Sequence, residues 1–175
     1  MTVDTLVLGY LDNNCYILSN NNKCLIIDPS DNGNVILNAI ENKELLGILI
    51  THRHPDHIGA LDYILNKTNT KVLDLEEGFH DVGPFKFQVI NTPGHTPDSK
   101  TFYFYEENIM FTGDFIFRDT IGRTDLPGGD MDVMYKSINN IKKFNDCKIM
   151  PGHGESTTLN YEKENNIFFK QKTVE

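Results

Sequence analysis

The segment Thr51-His52-Arg53-His54-Pro55-Asp56-His57 packs three histidines and an aspartate into seven residues. Imidazole nitrogens and carboxylates are the donors that hold a borderline cation such as zinc or iron. Without a cation, four such groups in one short loop leave desolvated polar atoms competing for few partners. The plainer alternative is a solvated histidine-rich turn, and the density of the cluster argues against it. Three more candidate donors follow in short, turn-forming contexts. His95 lies in Thr92-Pro93-Gly94-His95-Thr96-Pro97, Asp114 closes Phe111-Thr112-Gly113-Asp114, and His153 lies in Pro151-Gly152-His153-Gly154. A glycine beside each suits a tight turn or a close backbone approach to an ion.

Each motif follows a strand-like run that could position it. Leu45 to Ile50 is apolar and precedes the cluster, and Phe85 to Ile90, Ile109 to Phe111 and Cys147 to Met150 precede the other three. Ligands at the carboxyl ends of strands are where open α/β sheets concentrate their chemistry, so four loops at one end could converge on one site. Upstream, Thr2 to Leu8, Cys15 to Leu18 and Cys24 to Asp28 read as short strands separated by Asn/Gly-rich turns. Val35, Ile36, Ala39 and Ile40 are spaced for a helix reaching Lys43. Ile58, Leu61, Tyr63, Ile64 and Leu65 mark a second helix whose N-terminus lies beside the cluster. Further helices are expected from Met131 to Phe144 and from Leu159 onward, and Phe102 to Tyr105 reads as a strand.

Composition bounds the function. The length of 175 residues fits one domain spanning 1–175, with no linker, repeat or low-complexity block. No apolar stretch approaches the roughly 20 residues that span a bilayer, and no secretory signal is evident, so no membrane partner is expected. Cys15, Cys24 and Cys147 are odd in number and lack Cys-x-x-Cys spacing, which predicts reduced core thiols and a cytoplasmic location. A net charge of −9 argues against nucleic acid as a partner. Oligomeric state is not legible.

The ordered set His-x-His-x-Asp-His, Gly-His, Gly-Asp, Gly-His, covering Thr51 to Gly154, resembles the metallo-β-lactamase superfamily. The resemblance implies an α/β (α+β) fold, a four-layer αββα sandwich with a two-metal site between its sheets. Carried over by motif, one metal would take His52, His54 and His95, the other Asp56, His57 and His153, with Asp114 bridging. The implied cofactor is two divalent cations, zinc first and iron or manganese as alternatives. Paired cations roughly 3.5 Å apart convert a bridging water to hydroxide near neutral pH, so no serine or cysteine nucleophile is required. Asp56 could also shuttle a proton after attack.

The segment Ile121-Gly122-Arg123-Thr124-Asp125-Leu126-Pro127-Gly128-Gly129-Asp130, with the Pro-Gly-His-Gly ending, is similar to short glyoxalase II-like hydrolases. Those resemble hydroxyacylglutathione hydrolases, which implies a small-molecule thioester substrate of the S-lactoylglutathione type. The long glyoxalase II enzymes add a C-terminal helical domain whose basic residues grip glutathione. That domain is not expected here, so another small thiol fits equally well. Arg123 could hold a substrate carboxylate, against the alternative of a buried pair with Asp125 or Asp130. Phe115 or Phe117 could line the cleft, with Phe115 taken as the substrate contact. Thr51 and Ser99 could orient imidazoles, Asp98 reads as a solvated turn, and His80 as a surface histidine.

Three rivals remain. A mononuclear iron persulfide dioxygenase would use His52, His95 and Asp114 as a facial triad. A lactone or β-lactam hydrolase would use the same hydroxide, with the cytoplasmic reading against β-lactams. The third is a non-catalytic, metal-stabilised binding protein.

Overall fold

The computed structural model describes residues 1–170, and the last five residues of the expected 1–175 span lie outside the described residues. Two sheets stack face to face. The first takes its strands in sequence order: β1 (Thr2–Leu8), β2 (Asn13–Asn20), β3 (Lys23–Ile27) and β4 (Glu44–Leu49), antiparallel except for the parallel β3–β4 pair. Alternation along these strands decides what each face meets. Tyr16, Leu18, Leu25, Ile27 and Leu49 point toward the second sheet, whereas Cys15, Ile17, Cys24, Ile26 and Ile48 point outward. The outward set packs on Ile36 of α1 (Gly33–Ala39) and on Leu61 and Ile64 of α3 (Leu61–Lys67).

The second sheet has six strands. Its order is β12 (Thr157–Thr158), β11 (Lys148–Pro151), β8 (Ile109–Gly113), β7 (Lys100–Phe104), β6 (Phe85–Asn91) and β5 (Gly78–Val82). Phe85, Phe87, Phe102, Phe104 and Phe111 fill the space between the sheets, with edge-on and stacked ring contacts. The outer face carries Ile90, Met110 and Ile149 against Met134, Ile138 and Ile141 of α4 (Met131–Ile141), and against Leu159 at the start of α5 (Leu159–Asn165). Phe169 of α6 (Ile167–Lys170) closes this layer, as its position near the end of the chain suggests. The result is the expected αββα sandwich. Among the described residues, no helix is long and apolar enough to cross a membrane.

Strand direction explains why the motifs meet. β7 is antiparallel to both β6 and β8, and β11 is parallel to β8, so β6, β8 and β11 all run the same way. Their carboxyl ends, carrying His95, Asp114 and His153, therefore lie at one edge of the sandwich. β4 delivers the His52–His57 loop to the same edge.

Several elements differ from the sequence expectation. The helix expected from Ile58 is two pieces, α2 (Pro55–Ile58) and α3, separated by Gly59 and Ala60, and Gly59 packs so closely that a side chain there would lie 2.3 Å from the Ser30 carbonyl. The helix expected to reach Lys43 ends at Ala39. β5 and the short hairpin of β9 (Ile116–Phe117) with β10 (Thr120–Ile121) were not legible. All three cysteines are buried free thiols, as expected.

Candidate metal centre

The seven candidate donors converge as two adjoining groups. In the first, His52 Nε2 and His95 Nε2 lie 3.2 and 2.9 Å from His54 Nδ1. Three ring nitrogens facing one point cannot all be satisfied by one another's protons, because each neutral ring has only one N–H. In the second group, Asp56 Oδ2 and Asp114 Oδ1 lie 3.1 and 3.6 Å from His153 Nε2, with His57 Nε2 beside them. Asp114 joins the two groups, since its Oδ2 is 3.6 Å from His95 Nε2 while its Oδ1 is 3.1 Å from His57 Nε2.

That last pair tests the fit to a cation. His57 Nε2 and Asp114 Oδ1 are buried and 3.1 Å apart, yet neither has a hydrogen-bond partner among the described residues. A buried orphan donor or acceptor is costly, and a cation between them would satisfy both. The backbone is shaped to leave that space. A side chain on Gly152 would lie 2.4 Å from Asp114 Oδ1 and 2.6 Å from His57 Cε1. Gly113, at φ +50°, likewise admits no side chain, because one would lie 2.3 Å from Thr51 Oγ1.

Outer hydrogen bonds aim the rings. Thr51 Oγ1 donates to Asp28 Oδ2 at 2.6 Å, so it can only accept from His52 Nδ1 at 3.1 Å, which leaves His52 Nε2 unprotonated and facing inward. His57 Nδ1 donates to the same Asp28 Oδ2 at 2.8 Å, and Asp28 Oδ1 accepts from the Thr51 amide at 2.8 Å. His95 Nδ1 donates to the Arg123 carbonyl at 2.7 Å and His153 Nδ1 to the Leu11 carbonyl at 2.9 Å. Ring orientation is thereby fixed at four of the five histidines.

Electrostatics separate the two groups. Burial, with His57 alongside, pushes His52 down to about 3, and burial with His95 lowers His54, so both are neutral donors at pH 7. Burial alone would also lower His57, but the carboxylates of Asp114 and Asp28 hold it up, at about 10. The His153 hydrogen bond holds Asp56 well below the usual carboxylate range. Burial would raise Asp114, and the histidines around it outweigh that and lower it. The second group is a closely packed set of opposite charges, which a cation and deprotonated imidazoles could replace.

The remaining site expectations fare differently. Phe115 is completely buried and packs with Met134 and Ile138 on the outer face of the second sheet. The chain turns immediately after Asp114, with the Phe115 amide bonded to the Thr112 carbonyl at 3.1 Å, and this directs its ring away from the cleft. The substrate contact expected at Phe115 is therefore not available to the cleft, and the ring of the alternative, Phe117, lies 6.1 Å from that of His153. Arg123 makes a two-bond pair with Asp125, at 2.7 and 2.8 Å, and the pair is exposed rather than buried. Its carbonyl, not its side chain, reaches the site. Ser99 Oγ lies 2.7 Å from Thr96 Oγ1 and braces the His95 turn without touching an imidazole. Asp98 is exposed and accepts from Thr96 Oγ1, and His80 touches none of the donors. Asp28 went unnoticed in the sequence. Its one available signal was a carboxylate ending an apolar strand, the same pattern that marked Asp114.

The sequence model of the metallo-beta-lactamase superfamily matches residues 8–73 and 70–153. The chain belongs to this superfamily. A probable metallo-hydrolase of Streptococcus pyogenes is 32% identical, covering 89% of this chain and 85% of the relative. The hydroxyacylglutathione hydrolase GloC of Haemophilus influenzae is 27% identical over 99% of this chain and all of the relative. Among solved structures, the BLEG-1 B3 metallo-beta-lactamase superposes with a TM-score of 0.92 at 29% identity, covering 97% of this chain and all of that one. TTHA1623 in a di-iron-bound form gives 0.88 at 30% identity, covering 95% and 100%.

Proposed function

We propose that this protein is a dinuclear metal-dependent hydrolase that cleaves thioesters of a small thiol, of the hydroxyacylglutathione hydrolase type. The observation that carries the reading is Asp114, whose two oxygens face the two donor groups while Oδ1 and His57 Nε2 lie buried without a hydrogen-bond partner. His52, His54 and His95 would hold one cation, and Asp56, His57 and His153 the other, with Asp114 between. Zinc suits the donors and the soft leaving thiolate, and the di-iron form of TTHA1623 keeps iron in consideration. When bound, the pair would supply hydroxide near neutral pH and polarise the carbonyl under attack.

The chain's own groups do the rest. Asp28, Thr51 and the carbonyls of Arg123 and Leu11 keep the free nitrogens of His52, His57, His95 and His153 inward. Asp56, a half-buried carboxylate 3.1 Å from His153 Nε2, would receive a proton after attack and pass it toward the leaving sulfur. The likeness to GloC supports the thioester substrate, and that to BLEG-1 makes β-lactam cleavage the second reading.

The test is a substrate panel on metal-loaded protein: S-lactoylglutathione, a lactone, a β-lactam, and glutathione persulfide with oxygen uptake followed. Preferential release of thiol from the thioester is expected. Oxygen consumption on the persulfide with a single iron per chain would replace the proposal by a dioxygenase, and preference for the β-lactam or lactone would move it to those substrates.

A further inference from the structure

A second feature lies next to the candidate metals and has no part in holding them. A cleft of about 440 Å³ runs between the β1–β2 turn and the start of α2. Leu8, Tyr10, Leu11, Pro55 and Gly59 line it, together with Asp56, itself one of the candidate metal donors. The walls are mostly apolar. Two lining residues are polar and almost entirely buried: Asn13 is 1% exposed and Ser30 3%. Asn13 Nδ2, Asn13 Oδ1 and Ser30 Oγ all lack a hydrogen-bond partner among the described residues.

Three unpaired polar atoms in one cleft call for an explanation in terms of what fills it. A trans secondary amide points its N–H and C=O in opposite directions, so its N–H can meet Asn13 Oδ1 while its carbonyl accepts from a second buried donor such as Ser30 Oγ. Charge narrows the choice. None of the residues lining the cleft is basic, and Asp31 and Asp56 are acidic, so an arm ending in a carboxylate is disfavoured there. The place in the fold is also informative, since Asn13 forms a bridge pair with His153, so a group held by Asn13 lies one residue from a candidate ligand.

We propose that this cleft binds the neutral, amide-bearing arm of the thiol carrier, with Asn13 Oδ1 accepting from the amide N–H and Ser30 Oγ donating to its carbonyl. The inference rests on the thioester reading above and narrows the carrier to an N-acylated aminothiol whose amide lies close to the sulfur. Access requires the 9–12 turn to move outward. That turn presents Tyr10 at 98% and Leu11 at 57% exposure, so the movement loses little packing. Its Leu11 carbonyl accepts from His153 Nδ1, so the movement also breaks that bond and releases one restraint on the His153 ring.

The test uses zinc-loaded protein and S-methyl-N-acetylcysteamine, a neutral amide probe with a capped sulfur that cannot be hydrolysed. Saturable shifts of the Asn13 side-chain NH2 resonances are expected by NMR. Affinity is expected to fall about 5-fold in Asn13→Ala, and about 10-fold for the ester analogue, which lacks the N–H and leaves Asn13 Oδ1 unpaired. Since Asn13 is unpaired without a ligand, Asn13→Ala should keep or raise Tm. Absence of a saturable shift at Asn13, or equal affinity in Asn13→Ala, would overturn the proposal and leave water as the occupant. If the probe binds at Asn13 but the loaded protein cleaves no thioester, the cleft stands and the hydrolase reading falls. Thioester cleavage without binding at Asn13 has the opposite meaning.

Discussion

Asp28 Oδ2 accepts a hydrogen bond from His57 Nδ1 at 2.8 Å, and this bond turns His57 Nε2 toward Asp114. The same carboxylate holds Thr51 by its amide and hydroxyl, and Thr51 in turn holds His52. One buried aspartate thus aims one ring in each donor group. Asp28→Asn should weaken metal binding about 10–100-fold, as loss of such outer partners usually does, with the fold little changed. Metal titration against a competing chelator measures it. An unchanged affinity would remove Asp28 from this role.

Gly152→Ala should be more damaging than its size suggests. The new methyl would press on Asp114 Oδ1 and His57 Cε1, where a cation would sit. The expected result is protein that folds but binds about one equivalent of metal instead of two, read by elemental analysis.

Metal removal should lower thermal stability. A ligand present at about 100 times its dissociation constant stabilises by about 2.7 kcal/mol. For a chain of this length, each kcal/mol is worth roughly 2–4 °C. Chelation should therefore lower Tm by about 5–10 °C per site, reversibly on readdition.

The Arg123–Asp125 pair gives a pH signature. Arg123 holds the exposed Asp125 carboxyl down at about 2. A depressed folded-state value means that the pair's stabilisation is present above the unfolded carboxyl pKa of about 3.9 and is lost as pH falls through about 2. In Arg123→Gln, the Asp125 titration seen by NMR should return to the ordinary carboxylate range, with KM for thioesters unchanged. A raised KM at unchanged kcat would instead put the guanidinium on the substrate.

How far the sequence could be read follows from where each signal lay. The seven donors were legible because each sits in a short string with glycine or proline, directly after an apolar strand. Asp28 was not, because it stands 23 residues before Thr51 and looks like an ordinary strand end. The carbonyls of Leu11 and Arg123 leave no trace in residue type at all. The sandwich was legible because inward and outward residues alternate along β2, β3 and β4. β5 escaped notice because it is an edge strand with an exposed phenylalanine, Phe79, and an acidic tail. Phe115 misled because proximity in sequence to Asp114 says nothing about the turn between them.

The most direct measurement of the central claim is the rate of S-lactoylglutathione hydrolysis as metal is added stepwise to chelated, desalted protein. The expected rate rises until two equivalents per chain are bound and then levels. A plateau at one equivalent, or no cleavage of either S-lactoylglutathione or a thioester of N-acetylcysteamine at any loading, would contradict a dinuclear thioester hydrolase.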